Sequence, residues 1–542
     1  MTGTGVVPVA PAVPLAERSI RHLVDRGAAS WAERPALRQG DTILSYRALR
    51  DAVRSHGAAF AALRIGWQEP VLFMLDNHLD HVLSWLGATY AGRVQVQVNT
   101  AYRGSLLARV LQQSGAGVIV VEDRYCERIA AVAGEVPGLR RVVVRGGNGA
   151  ALASQKLEVL TFADAFSGVG DHEPEEPVAP WHRYGVMYTS GTTGPSKGVV
   201  LPHALPFAYV SPETVALVDA DDVVLVPFPQ FHISGQWTGV LAPLMVGGCA
   251  VLVERFSASG FWDDVRRYGI TQTTLLSAMV PFLMGQPEQP GDAGTTLRKI
   301  VMAPVIAEAA AFERRFGLAI ASCYGQTEAC LPIVSWYGHA RPGACGWVRP
   351  EFEVRLVDEH DADVAPGQVG ELLVRAAEPY MSMVEYLGAP DATVAKWRNL
   401  WLHTGDMHRQ DPSGLFYFVD RSNDVIRRRG ENVSSLEVEA EIQRVPQVQM
   451  VAVVGVDSPD LEQEIKACLV LEPGAVVTPA ELHAEFRARL PYFMVPRYLE
   501  FHDDLPRTPT QRIQKSSLRA AGVTQATWDA RAHGVEARHT DR

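Results

Sequence analysis

Tyr188-Thr189-Ser190-Gly191-Thr192-Thr193-Gly194-Pro195-Ser196-Lys197-Gly198 is the stretch on which the reading of this chain turns. An apolar run from Tyr184 to Thr189 leads into hydroxyls and glycines and ends on one lysine. Glycines let successive main-chain N–H groups face a common concavity, hydroxyls add donors, and the lysine adds a point charge. Such a loop suits a polyphosphate. It is not a Walker A loop, because Gly198 follows the lysine in place of Ser or Thr and the glycine spacing differs.

Outward from the loop, helix and strand patterns alternate. Leu49, Val53, Phe60 and Leu63 recur at helical spacing up to Gly66; residues 71–75 read as a buried strand and 79–90 as a helix. Val94, Val96 and Val98 alternate as a strand, and 117–121 is a further short apolar strand. This rhythm predicts an α/β fold, a large multi-layer domain with mainly parallel sheets. No period of 20–50 residues recurs, so a repeat architecture is excluded. An acidic, proline-bearing stretch, 171–180, precedes the strand of the loop. Beyond Asp420 to Asp424 a compact unit follows, with helices at 436–444 and 479–490 and strands at 450–456, 466–471 and 498–501. That is the length of a small α+β domain. The expected division is therefore 1–16 without order, 17–423 as the large domain, 424–522 as a mobile small domain, and 523–542 as a polar tail.

Composition limits what the chain can do. Its 542 residues are 47% hydrophobic and 20% charged, enough for two packed domains. With a formal net charge of −11 and no Lys/Arg block longer than Arg427–Arg429, nucleic acid is not an expected partner. The six cysteines are scattered with no CxxC pair, which reads as reduced thiols in a cytoplasmic protein without a zinc site. Residues 1–14 lack the basic start of a signal peptide, and the most apolar window, 240–253, is broken by Pro243, Gly247 and Gly248. It is too short for a transmembrane segment and reads as a buried strand and turn.

Four further motifs accompany the loop: Phe231-His232 with Gly235, Tyr324-Gly325-Gln326-Thr327-Glu328, Trp401-Leu402-His403-Thr404-Gly405-Asp406, and Asp420-Arg421 followed by Asp424 and Gly430. In this order, over about residues 44–519, the set resembles the superfamily of acyl-CoA synthetases, peptide-synthetase adenylation domains and luciferases. The resemblance implies ATP and Mg²⁺, with Thr189, Ser190, Gly191, Thr192, Thr193, Gly194 and Lys197 on the phosphates, Thr327 beside them and Glu328 holding the metal. It implies Ala303, Pro304, Tyr324, Gly325 and Gln326 around the nucleotide and Asp406 with Arg421 on the ribose. It also implies an acid pocket of His232, Gly235, Gln236, Trp237, Met302 and Cys330, a hinge at Asp424, and an acceptor channel by Gly430. The chemistry agrees. Adenylation brings two anions together, so cations and N–H donors must neutralise them, and an ionised Asp406 is acceptor-only, as paired ribose hydroxyls require.

Three departures from the family pattern bear on function. Where the family places Gly-Lys, this chain has Gln511-Arg512, with Lys515 three residues on. A planar guanidinium is not a positional equivalent of an ammonium, so either Arg512 or Lys515 serves adenylation, or that step is weakened. Met302 stands where relatives carry Gly, and Gln236-Trp237 follow His232. If both fill the pocket, they point to a short or flat acid; if not, they are core. Asn99-Thr100-Ala101-Tyr102-Arg103-Gly104 and Arg427-Arg428-Arg429-Gly430-Glu431-Asn432 look like the carnitine/crotonobetaine-type CoA ligase branch. The implied reaction is acid plus ATP to acyl-AMP and pyrophosphate, then transfer to CoA as a thioester. Arg427–Arg429 would meet CoA phosphates or form a solvated face. Two alternatives stand beside it: adenylation of an oxyanion such as nitrite with capture by an aromatic amine, and a nucleotide-binding relative with impaired catalysis.

Overall fold

The runs that read as buried strands do so because parallel strands are covered on both faces and need no polar alternation. Pro70–Met74, Val94–Gln97, Val118–Glu122 and Arg141–Arg145 form the parallel heart of an eight-stranded sheet. Arg183–Thr189 joins it parallel to Val94–Gln97 and then turns antiparallel into Lys197–Pro202. This computed structural model describes residues 8–167, 176–189, 196–421, 424, 426–428, 431–457, 463–490, 492, 494–507 and 513–535. The helix Leu79–Tyr90 is buried at every position except Asp80. A helix apolar all round belongs inside a layered core, and it packs against the helix Tyr46–Ala62.

A thirteen-stranded sheet forms the second layer. Cys249–Leu252, Val223–Val226, Gln272–Leu276, Lys299–Ala303 and Ala319–Gln326 run parallel to one another. From Cys330–Ser335 onward the sheet is antiparallel, through Phe352–Val357, Gly370–Ala376, Leu402–Gln410 and Phe416–Arg421. Hairpin connections make that half possible without crossover helices.

The small domain has a sheet of Val448–Asp457, Gln463–Leu471, Tyr498–Phe501 and Trp528–Asp529, with helices Ser435–Ile442, Pro479–Arg489 and Lys515–Ala521. Both termini extend further into order than composition suggests. Val13 is buried and the Val9 N–H donates to the Pro212 carbonyl at 3.1 Å, so the expectation of disorder for 1–16 fails over residues 8–16. The polar tail likewise folds back through residue 535. Trp528–Asp529 adds an edge strand to Tyr498–Phe501, and Asp529 accepts from Nε and Nη2 of Arg497, each at 2.9 Å. Window 240–253 is helical at its start, ending at Val246, and only Cys249–Leu252 is the expected strand. Among the described residues no helix is long and apolar enough to cross a membrane.

Candidate active site

A cleft of about 2420 Å³ opens where strand ends of the large domain face the small domain. The polyphosphate loop is closed by its own hairpin, with Thr189 opposite Lys197 in register. Residues Ser190 to Gly194 lie outside the described residues. Lys197 reaches the cleft with its Nζ 5.1 Å from the centre of the Tyr386 ring. Tyr386 stands on the short strand Glu385–Tyr386, paired to Lys197–Pro202, and its hydroxyl donates to Glu328 Oε1 at 3.0 Å. Thr189 Oγ1 donates to the same oxygen at 3.3 Å. Burial, then the charge of Glu328, push the Tyr386 phenol far above its ordinary range, so it remains a donor.

Glu328 is placed by a tight reversal between Ala319–Gln326 and Cys330–Ser335. A Cβ at Gly325 would lie 2.7 Å from the Cys330 carbonyl, so only glycine permits this closeness. Thr327 and Glu328 are 7% and 8% exposed and line the cleft. No group of three or more His, Cys, Asp or Glu among the described residues could hold a metal by itself. A single carboxylate facing a phosphate site instead fits Mg²⁺, which takes one or two carboxylates with phosphates and water.

Elsewhere along the cleft, Asp406 accepts from Tyr324 Oη at 2.7 Å and from Gln326 Nε2 at 2.5 Å. Gln326 Nε2 also donates to the Thr404 carbonyl at 2.9 Å. Burial, reinforced by Asp406, raises the Tyr324 phenol well above its usual range. Asp406 pairs in register with Arg421, whose side chain lies outside the described residues. Ala303 and Pro304 line the cleft from the end of their strand. His232 lines it too, with Nδ1 accepting from the Ser234 N–H at 3.2 Å. That bond leaves Nε2 to carry the ring proton.

The comparisons with known proteins bear on this arrangement. Residues 24–384 match the model of the AMP-binding enzyme family, and 437–512 match that of the AMP-binding enzyme C-terminal domain. The chain is an AMP-binding enzyme. It is 32% identical over 496 residues to a crotonobetaine/carnitine–CoA ligase of Citrobacter koseri, covering 88% of this chain and 93% of the relative. A crotonobetaine/carnitine–CoA ligase of Salmonella typhi is 31% identical over 500 residues, with the same coverages of 88% and 93%. Its fold is that of the anthranilate CoA ligase AuaEII in complex with anthranoyl-AMP, at TM-score 0.84 and 24% identity over 94% of this chain and 98% of that one. A benzoate CoA ligase from Burkholderia xenovorans LB400 superposes at TM-score 0.81 and 24% identity, over 92% and 99%.

The AMP-binding enzyme departs from its sequence reading on the acid side. Met302 is fully buried in the core beneath the sheet, while Val301 and Ala303 line the cleft. Strand alternation sends Met302 to the other face. Trp237 is also fully buried, against Tyr209 at 5.1 Å between ring centres. Gln236 joins a buried amide chain, accepting from Tyr184 Oη at 2.6 Å and exchanging bonds with Gln95 at 2.9 and 3.1 Å. A Cβ at Gly235 would meet the Pro229 carbonyl at 2.2 Å, so its role is close backbone packing. Cys330 is buried away from the cleft, where its neighbour Leu331 stands. Of the pocket residues expected from sequence, only His232 reaches the cleft.

At the domain junction, Lys515 Nζ binds Glu439 Oε1 at 2.8 Å and donates to Ser435 Oγ at 2.5 Å. Burial lowers its pKa, but Glu439, Asp420 and Asp424 outweigh burial and raise it overall. Lys515 thus lines the cleft as the centre of a junction ion cluster, not as a loose cation. Asp424, the expected hinge, pairs with Arg519. Arg512 and Gly430 fall outside the described residues. Arg428 corrects the reading of the basic run: it is 1% exposed, bound to Glu464 at 2.6 Å and to the Val495 carbonyl at 2.7 Å. It is unavailable to CoA phosphates and is no solvated face.

Tyr386 and Lys396 are cleft residues that sequence reasoning missed. A two-residue strand leaves no periodicity to read, and Lys396 closes a short helix, Pro390–Lys396, with only its charge as a signal.

Proposed function

We propose that this AMP-binding enzyme is an ATP-dependent ligase that activates a small or aromatic acid as its AMP ester, releasing pyrophosphate, and then forms the CoA thioester. The observation that carries the reading is the convergence of Lys197, Thr189, Glu328 and Asp406 on one cleft that the small domain also lines. Mg²⁺ held at Glu328 would neutralise charge on the phosphates. Lys197 would meet the negative charge that grows as the acid oxygen attacks phosphorus and pyrophosphate leaves. Asp406, oriented by Tyr324 and Gln326, would accept from the ribose hydroxyls. His232, with its proton on Nε2, would donate to the acid or its ester.

The acid side of the cleft supports an uncharged acid body. Tyr209, Val215, Phe228, Ile233, Ala242 and Val246 line it, and none of them carries a charge. All six cysteines are free thiols, as suits a reducing compartment such as the cytoplasm.

The test is a panel of acids with ATP, Mg²⁺ and CoA, reading AMP, pyrophosphate and thioester mass. Benzoate, anthranilate and short unsaturated acids should give thioester and AMP in equal amounts. Release of AMP with nitrite and an aromatic amine, and with no carboxylate plus CoA, would replace this reading by the oxyanion one.

A further inference from the structure

Lys396 has no role in the family pattern quoted above, yet it lines the cleft. Among the described residues its Nζ makes one hydrogen bond, to the Thr404 carbonyl at 3.2 Å. That carbonyl is the one that Gln326 also binds, one step from Asp406. Glu328, Asp406 and Glu371 all act on the ammonium through space, but among the described residues no carboxylate lies at ion-pair distance from it. Lys197 repels it through space. Two ammonium groups therefore face one cleft, each without a carboxylate at ion-pair distance among the described residues. An ammonium has three donors, and Lys396 uses one of them on the described residues. A sunken cation with spare donors is costly unless an anion completes it. Burial lowers the pKa of Lys396 for this reason, and a bound anion would restore the charge.

We propose that Lys396 is a second phosphate-binding cation of this AMP-binding enzyme, standing beside Lys197 and contacting the phosphate nearest the ribose. The proposal rests on the adenylating reading above. Its place explains the assignment. Thr404 and Asp406 belong to one strand, so a cation on the Thr404 carbonyl stands next to the ribose acceptor, where the first phosphate must lie. It is fixed to the large domain and stays with the nucleotide wherever the small domain goes. This matters for a chain with Arg512 where its family places the adenylating lysine. Lysine at the last position of a helix can also serve as a simple counter-charge to the helix dipole. The two roles make different predictions.

The experiment measures binding of adenosine, AMP and Mg·ATP to the full chain by calorimetry, with no acid present. Lys396→Met should weaken AMP and Mg·ATP by tenfold to a hundredfold, the usual loss of a charge-assisted bond, and leave adenosine within about twofold. Lys396→Arg should recover most of the loss. A counter-charge role would disturb Thr404, and with it Gln326 and Asp406, so adenosine would weaken as much as AMP; that result overturns the proposal. So does unchanged AMP affinity in a folded Lys396→Met protein. If that variant does not fold, Lys396→Gln carries the same test. If the wild-type protein binds adenosine, AMP and Mg·ATP alike, the adenylating reading itself fails. If only the variant lacks the loss, the assignment of Lys396 alone fails.

Discussion

Glu328 shows how a single carboxylate can be oriented in advance for the Mg²⁺ role proposed for it. Hydroxyls from two different strands, Thr189 and Tyr386, converge on one of its oxygens, so the carboxylate is oriented before any ligand arrives. Glu328→Gln keeps the shape and removes the charge. Adenylation should fall about 10²–10³-fold, the typical loss of one preorganised contact to developing charge, with the melting temperature little changed. Single-turnover pyrophosphate release checks it, and Lys197→Ala should match in size. Tyr386→Phe removes one hydrogen bond to the carboxylate while the ring under Lys197 stays. A loss of about 1 kcal/mol, roughly fivefold in rate, is expected from the same assay.

At the scale of elements, the motif strands were legible because parallel strands covered on both faces read as continuous apolar runs. Residues 79–90 and 498–501 match their predicted spans, and the fold class followed from that alternation. Side-chain direction was less legible. Met302 and Trp237 occupy positions next to cleft residues in sequence, and only the pleat of the strand and the turn of the helix decide which way they face. The last edge strand was also unreadable, since Trp528–Asp529 is two residues long and is held by tertiary bonds. One of those bonds titrates. Burial alone would raise Glu500, but hydrogen bonds from Thr527 and Thr524 and the ammonium of Lys466 outweigh it and hold its pKa at about 2. A depressed carboxylate contributes stability that is complete above its ordinary value near 4.5 and is lost as pH falls toward 2. Unfolding of the small domain should therefore become easier across that window. Thr527→Val should move this acid transition to higher pH and cost about 1.5–3 kcal/mol at neutral pH, readable by urea denaturation at stepped pH.

At the scale of the molecule, Asp420 of the large domain meets the small domain beside ion pairs that lie inside the small domain. Asp420 accepts from Ser435 N at 2.8 Å, Lys515 holds Glu439, and Arg519 holds Asp424. Lys515→Met would strand the Glu439 carboxylate, whose pKa burial already raises, against the small domain. Removing one partner of a buried pair costs about 3–5 kcal/mol, so a clear drop in melting temperature is expected. Adenylation should fall less than in Lys197→Ala, because Lys515 is committed to the junction. The proposed function has an acid attack the α-phosphate of ATP reversibly before any acceptor enters. Isotope exchange between labelled pyrophosphate and ATP, without CoA and across a panel of small and aromatic acids, measures that step alone. The account predicts exchange that requires one of those acids and Mg²⁺, and that Glu328→Gln slows about 10²–10³-fold. Exchange independent of acid, or cleavage of ATP to ADP and phosphate, would contradict it.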